Sequence, residues 1–379
     1  MKMRGFRNAR LVLPDEVVLG SLLLDDDGKI RVLDEGSSSS AELLDCAGDF
    51  LLPGLVDIHT DNLERQVQPR TLARWPSRSA FLAHDAQCIA AGITSVADAL
   101  CVGDAGFEAQ RVQTLRDALV DLQQLRAGDQ LRAEHFLHLR CELPVANLPQ
   151  LLQESLAAGP VQMLSLMDHT PGVGQHTNLE KFRSGRRAEG FSEEELEQRI
   201  AESQERHHRY SAQNRAFILE LLRDGPLPIA SHDDVSPEEI ERNAHDGIRI
   251  SEFPVTLAAA RHAVDLGMAT VAGAPNLVRG GSHSGNVAVA DLVREGVVSA
   301  LASDYYPSSL LEAAFLLAER KLASLPQAIA MVTSSPARLL GLEDRGSLTP
   351  GQRADLLRVR YQDGLVTLRG VWRAGERVG

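Results

Sequence analysis

Residues 51–64 read LLPGLVDIHTDNLE. The run from Leu51 to Ile58 is mostly apolar, as a buried strand should be, yet it finishes in His59, Thr60 and Asp61. Side chains along a strand alternate faces, and each residue advances the chain by about 3.3 Å. His59 and Asp61 therefore point the same way, about 6.6 Å apart at the backbone, and can converge on one ion. An imidazole with a carboxylate suits a divalent transition metal such as zinc, manganese or iron(II).

The pattern recurs downstream. The short runs LVDIHTD, ITSVADAL, HFLHLRCEL, VQMLSLMDH, PIASHDD, IRISEFP, ATVAGAPN and VVSALASDYY are separated by amphipathic stretches such as SAFLAHDAQCIAAG and VTLAAARHAVDLG. Near-continuous apolar strands are expected where both faces of a parallel sheet are buried. Eight strand–helix alternations predict an α/β fold, a metal-dependent (β/α)8 TIM-type barrel. An open doubly wound sheet is the alternative, but no GxGxxG follows the first strand.

Barrels of this kind place their active sites at the C-terminal strand ends. Those ends carry His59 and Asp61, Asp98, Glu142, Asp168 and His169, His232 with Asp233 and Asp234, Glu252, Asn276, and Ser303 with Asp304. A lone strand-end histidine is usually structural, and Asp98 alone could cap the next helix; recurrence on every strand argues for a site. His59, Asp61, Glu142, His169, His232 and Asp304 are the expected ligands, enough for two ions about 3.5–4 Å apart with a bridging carboxylate. Counted from His59, Glu142 falls on the third strand, His169 on the fourth and His232 on the fifth.

The ends of the chain have another texture. Residues 6–50 and the segments DLLRVRYQDG, LVTLRGVWRAG and ERVG alternate apolar and polar positions between turn signals. They predict a small β-sandwich-like satellite from residues 1–53 plus 345–379, around a barrel at 54–344. The first of these segments reads as a small antiparallel unit. A helical insertion is expected near 172–223, where Ser192 and Glu195 fit a capping box. Its nearly all-round charge reads as a solvated helix or as a lid over the mouth. His207 and His208 within it, and His262 in an amphipathic helix, read as structural or solvated; His84 and His245 are left open.

Bulk properties narrow the function. The net charge of −13 and the lack of a long basic run argue against a nucleic-acid partner. No stretch is long and apolar enough to span a membrane, and the N-terminus lacks the apolar core of a signal peptide. Cys46, Cys88, Cys101 and Cys141 are scattered without CxxC spacing, as for buried reduced thiols. A cytoplasmic protein with a small-molecule partner is expected, and a homo-oligomer is compatible with the barrel.

PGLVDIHTD, LEDRGSLTPGQRADLLRV and the eighth-strand Asp304 together resemble the amidohydrolase superfamily over nearly the whole chain. Asp61 stands where the wider superfamily carries a second histidine. HTDNLE, HLRCELP, SLMDHTPG, ASHDD, SEFP, GAPNLVRGGSHSGN and SDYYPSSLL resemble, more narrowly, the diphosphatase family of the carbon–phosphorus lyase pathway. The resemblance implies hydrolysis of α-D-ribose 1-methylphosphonate 5-triphosphate to the 5-phosphate and pyrophosphate. Many relatives bridge two metals with a carbamylated lysine. Here Lys2, Lys29, Lys181 and Lys321 are the only lysines and none lies at a strand end, so Glu142 is the natural substitute.

That substrate class gives a use to residues 273–286, GAPNLVRGGSHSGN. Gly280 and Gly281 would let the backbone approach an oxyanion, and Arg279 would offer phosphate a bidentate fork. Asn276, Ser282, His283, Ser284 and Asn286 would add donors. An ordinary glycine-rich turn is the plainer reading, and the segment lacks GxxxxGK[ST]. In the expected reaction Asp304 is the general base for water attacking the α-phosphorus, and His283 donates to the leaving group. The alternatives are a C–N hydrolase, a deacetylase or deaminase, on the same barrel, and a non-catalytic scaffold, which should have lost its ligands.

Overall fold

A computed structural model describes residues 4–70, 73–103, 110–174, 179–188, 190–282 and 285–379. The chain opens with β1 (Gly5–Val12), β2 (Val17–Leu24), β3 (Ile30–Glu35), β4 (Leu44–Asp45) and β5 (Phe50–Pro53). Eight strands follow: β6 (Leu55–Thr60), β7 (Ile93–Val102), β8 (Glu134–Glu142), β9 (Val161–Met167), β10 (Ile229–His232), β11 (Ile250–Glu252), β12 (Ala269–Gly273) and β13 (Ala300–Ala302). The chain closes with β14 (Leu356–Gln362), β15 (Leu365–Arg373) and β16 (Glu376–Arg377).

β6 to β13 coincide with the eight apolar runs and pair in chain order, all parallel. The ring closes where Thr60 bridges Asp304. The Asp304 N–H donates to the His59 carbonyl at 3.0 Å, and the Asp61 N–H donates to the Asp304 carbonyl at 2.8 Å. Small and medium side chains such as Val56, Ile58, Ala97, Met163, Ala230 and Val271 fill the interior, and Ala337 and Leu340 join the same cluster. The interleaved helices cover the outside, as a sheet buried on both faces requires.

The terminal strands form one sheet in the order β16-β15-β14-β5-β1-β2-β3, with β4 also on β1. It is mixed rather than purely antiparallel: β1 runs parallel to both β4 and β5. The chain recrosses the sheet before β5 and then leaves it for the barrel, which fixes that direction. The sheet curls until Lys29 bridges Arg353, enclosing a core that includes Phe6, Leu22, Leu51 and Trp372. The Phe6 and Trp372 rings meet edge to face at 4.8 Å. Gly54 joins β5 to β6 in a space too small for a side chain, since a Cβ there would stand 2.3 Å from Thr94 Oγ1.

Between β9 and β10 lie the helices Leu179–Ala188 and Glu193–Arg206, a π-helical turn His207–Ser211, and the helix Ala212–Leu222. The Ser192–Glu195 capping box is present: the Glu195 N–H donates to Ser192 Oγ, and the Ser192 N–H to the Glu195 carboxylate. The first helix reaches across to the loop after β12, where a Cβ on Gly285 would lie 3.3 Å from Lys181 Nζ. Among the described residues no helix is long and apolar enough to cross a membrane. The four cysteines are free and buried.

Candidate metal-dependent active site

β6 carries His59 to the barrel mouth with Asp61 just beyond it, and the end of β13 places Asp304 beside them. One ligand atom from each lies within 4.8 Å of the others. His169 after β9, with His232 and Asp233 at the end of β10, makes a second such trio. The trios adjoin: the His59 and His232 rings stack with centroids 6.0 Å apart, and His169 stands edge-on to His232 at 6.0 Å.

Glu252, at the end of β11, organises both. Its two oxygens lie 2.9 Å from Nδ1 of His59 and 2.9 Å from Nδ1 of His232. Burial opposes its charge, but His59 and His138 hold it well below the usual carboxylate range. A carboxylate on Nδ1 fixes the tautomer and turns Nε2 toward an ion. Nε2 of His59 is 3.4 Å from an Asp61 oxygen, and Nε2 of His232 is 3.4 Å from an Asp233 oxygen. Two atoms each about 2.1 Å from a tetrahedral ion lie about 3.4 Å apart, so both pairs fit a cation between them.

Glu142, at the end of β8, stands beside the second trio, with Oε1 2.5 Å from His169 Nδ1. Burial opposes its charge, yet His169 draws it down to about 2. Its Oε2 is buried with no hydrogen-bond partner among the described residues, a costly state unless something binds there. Arg140, also on β8, pairs with Asp61. Against the cost of burial, Arg140 and His59 keep Asp61 strongly acidic, whereas burial and the Asp61 charge raise Asp304.

Three side chains here depend on an uncommon backbone. Asp233, Phe253 and Asp304, each next to a strand end, have φ of 56°, 54° and 54°. Left-handed conformations of non-glycine residues cost about 1–3 kcal/mol each and gather where function needs a particular aim. The Phe253 ring walls both histidines, 5.0 Å from His59 and 5.3 Å from His232.

The trios open into a cavity of about 310 Å³, also lined by Arg140, Asn276, Ser282 and Asn286. The glycine-rich segment differs from its expectation. Gly280, at φ 82°, is the left-handed cap of the helix Ala274–Arg279. Its N–H donates to the Leu277 carbonyl and that of Gly281 to the Asn276 carbonyl. Those amides end a helix and are not offered to an oxyanion. Asn276 fastens the loop through the Val287 carbonyl and the Val289 N–H. Arg279 is exposed and does not line the cavity. His283 and Ser284 lie outside the described residues.

One other residue departs from the sequence reading. Asp98 is neither a helix cap nor a mouth residue: it is buried within β7 and held by His84 Nε2 at 2.6 Å and His135 Nδ1 at 2.8 Å. Of the two readings open for His207, structural or solvated, the contact agrees with the first: its Nδ1 lies 2.7 Å from Asp168 Oδ2. Sequence reasoning missed Asp233 as a ligand candidate, Glu252 as the orienting carboxylate, and Arg140. The arginine inside the apolar run HFLHLRCEL was the visible signal for the last.

The sequence model of the amidohydrolase family matches residues 80–378. The chain belongs to the amidohydrolase family. Alpha-D-ribose 1-methylphosphonate 5-triphosphate diphosphatase of Escherichia coli (strain K12) is 41% identical over 374 residues, 98% of this chain and 99% of that protein. Among solved amidohydrolase-like structures, N-isopropylammelide isopropylaminohydrolase from Burkholderia multivorans ATCC 17616 matches with a TM-score of 0.64 at 21% identity, covering 98% of this chain and 97% of that one. 5-Methylcytosine deaminase from Klebsiella pneumoniae gives 0.65 at 16% identity, with the same coverage. At such identities these two likenesses show the fold alone. Lys29, Lys181 and Lys321 all lie off the barrel strands.

Proposed function

We propose that this amidohydrolase cleaves α-D-ribose 1-methylphosphonate 5-triphosphate to the 5-phosphate and pyrophosphate, in the cytoplasm, as a step of phosphonate catabolism. The observation that carries this reading is the 41% identity to the diphosphatase over nearly the full length of both chains. The paired trios at the mouth support it.

In this reading His59, Asp61 and Asp304 hold one divalent ion and His169, His232 and Asp233 a second, with Glu142 offering its unpartnered oxygen beside them. Zinc, manganese or iron would supply Lewis acidity toward the phosphoryl oxygens. Asp304 takes the proton of the attacking water. Arg140 keeps Asp61 ionised and adds positive charge to the cavity wall. Ser282 and Asn286, with His283 and Ser284 between them in the sequence, are proposed donors to substrate. Asn276 holds that loop in place, and Arg279 adds charge at the rim.

Phosphorus NMR of metal-reconstituted protein with the triphosphate, and with ATP as control, tests the reading. Pyrophosphate with the 5-phosphate is the expected product pair. Orthophosphate would place the cut at another bond. No turnover with metal bound would overturn the diphosphatase reading in favour of C–N hydrolysis.

A further inference from the structure

A second cavity, of about 640 Å³, lies under the insertion and shares His169, His232 and Asp233 with the first. The mouth therefore has two lobes that meet at the β10 ligands. His207 lines the second lobe. It is the first residue of the π-helical turn His207–Ser211, and such turns are frequent at functional positions. Asp168 Oδ2 takes its Nδ1 at 2.7 Å, and Ser211 Oγ donates to the same oxygen at 2.9 Å. Nδ1 also lies 3.2 Å from Ser211 Oγ. The ring is thus held by one edge, and Nε2 makes no hydrogen bond among the described residues. Arg242, on the helix Pro237–His245, also lines the lobe, and its exposed guanidinium has no ion pair among the described residues.

Displacement at phosphorus puts the attacking and leaving oxygens roughly in line. Asp304, the proposed base, lies just past the last barrel strand, where it bridges Thr60 of the first. β9 and β10 are the fourth and fifth of the ring, on its far side. A leaving group opposite water activated at Asp304 would point toward the β9 and β10 side, where the second lobe lies.

We propose that the lobe under the insertion is the pyrophosphate subsite, in which His207, positioned by Asp168, and Arg242 bind the departing diphosphate. The inference rests on the function proposed above and deepens it. As water oxygen bonds to the α-phosphorus, the bridging bond between that phosphorus and the adjacent anhydride oxygen breaks. Its electron pair stays on pyrophosphate, the water proton passes to Asp304, and His207, protonated on both nitrogens with its Nδ1–H on Asp168, donates its Nε2–H to the diphosphate. The ribose phosphonate then occupies the lobe beside Ser282 and Asn286.

Product inhibition of the metal-loaded enzyme at constant free metal tests this, with inorganic pyrophosphate and ribose 5-phosphate as probes. His207→Ala should weaken inhibition by pyrophosphate about tenfold, the worth of one charge-assisted hydrogen bond, and barely change that by ribose 5-phosphate. Arg242→Ala, an exposed helix change that should not disturb folding, should shift the same way. Weaker inhibition by ribose 5-phosphate alone would reverse the two lobes and overturn the proposal; so would unchanged or equally weakened inhibition by both probes. If wild-type protein releases no pyrophosphate from the triphosphate yet binds pyrophosphate through His207, the function reading fails and the subsite stands.

Discussion

His59 and His232 lean on a single carboxylate, each turning Nδ1 to a different oxygen of Glu252 at 2.9 Å. Neither ring can rotate without giving up that bond, so one buried side chain sets the aim of a ligand in each trio. Glu252→Gln keeps the volume but leaves one oxygen to accept, so only one imidazole retains its orientation. Metal content after dialysis and kcat/KM should both fall about 10- to 100-fold. Elemental analysis beside a pyrophosphate-release assay checks this, and full metal content in the variant would remove Glu252 from that role.

Asp304→Asn separates binding from proton transfer. The amide oxygen can still face a cation but cannot take a proton from water. Metal content should stay close to wild type while turnover drops about 10²- to 10⁴-fold. Retained turnover would show that another group is the base.

Arg140→Ala would leave the largely enclosed Asp61 carboxylate without its cation. Removing one partner of such a pair costs about 3 kcal/mol, and the loss should appear in urea unfolding of EDTA-treated protein. Arg140→Lys should recover only part of it, because an ammonium lacks the planar fork. An unchanged midpoint in the alanine variant would mean that water screens the pair.

His135 gives a pH signature away from the mouth. Burial opposes its charge, but Asp98 and Asp85 outweigh it and push its pKa up to about 9. The unfolded value is about 6.5, so the protonated ring stabilises the fold fully below that pH and stops doing so as pH rises through 9. Asp98, held at about 2 against its burial by His135 and His84, stabilises the fold above about pH 4 and loses this as pH falls toward 2. The Tm of EDTA-treated wild type should fall between pH 6.5 and 9 more steeply than that of His135→Gln. Parallel curves would assign the decline to other groups.

The barrel was legible because apolar strand runs and amphipathic helical runs differ in period, and eight alternations leave few topologies. His59, Asp61, His169, His232 and Asp304 were visible as polar residues ending apolar runs. Glu252 was visible too, but its job was not: its partner His59 lies 193 residues away, and a strand pattern reports faces, not neighbours across a ring. Asp233 escaped because alternation assigns it the face opposite His232. The left-handed turn at φ 56° re-aims it. His207 was read from its charged helix, whereas its role depends on Asp168, 39 residues upstream. The direction of β5 could not be read from alternation, which looks the same for parallel and antiparallel neighbours.

The seam between β6 and β13 joins residues 244 apart, through Thr60 Oγ1 donating to the Asp304 carbonyl. His59 and Asp61 emerge early in synthesis, but their third companion arrives only when most of the chain has been made. The first trio is therefore a clasp that cannot be fastened on a nascent fragment. An ion seated there would bind only the closed form, and mass action would make it a lock on the ring as well as a tool for chemistry.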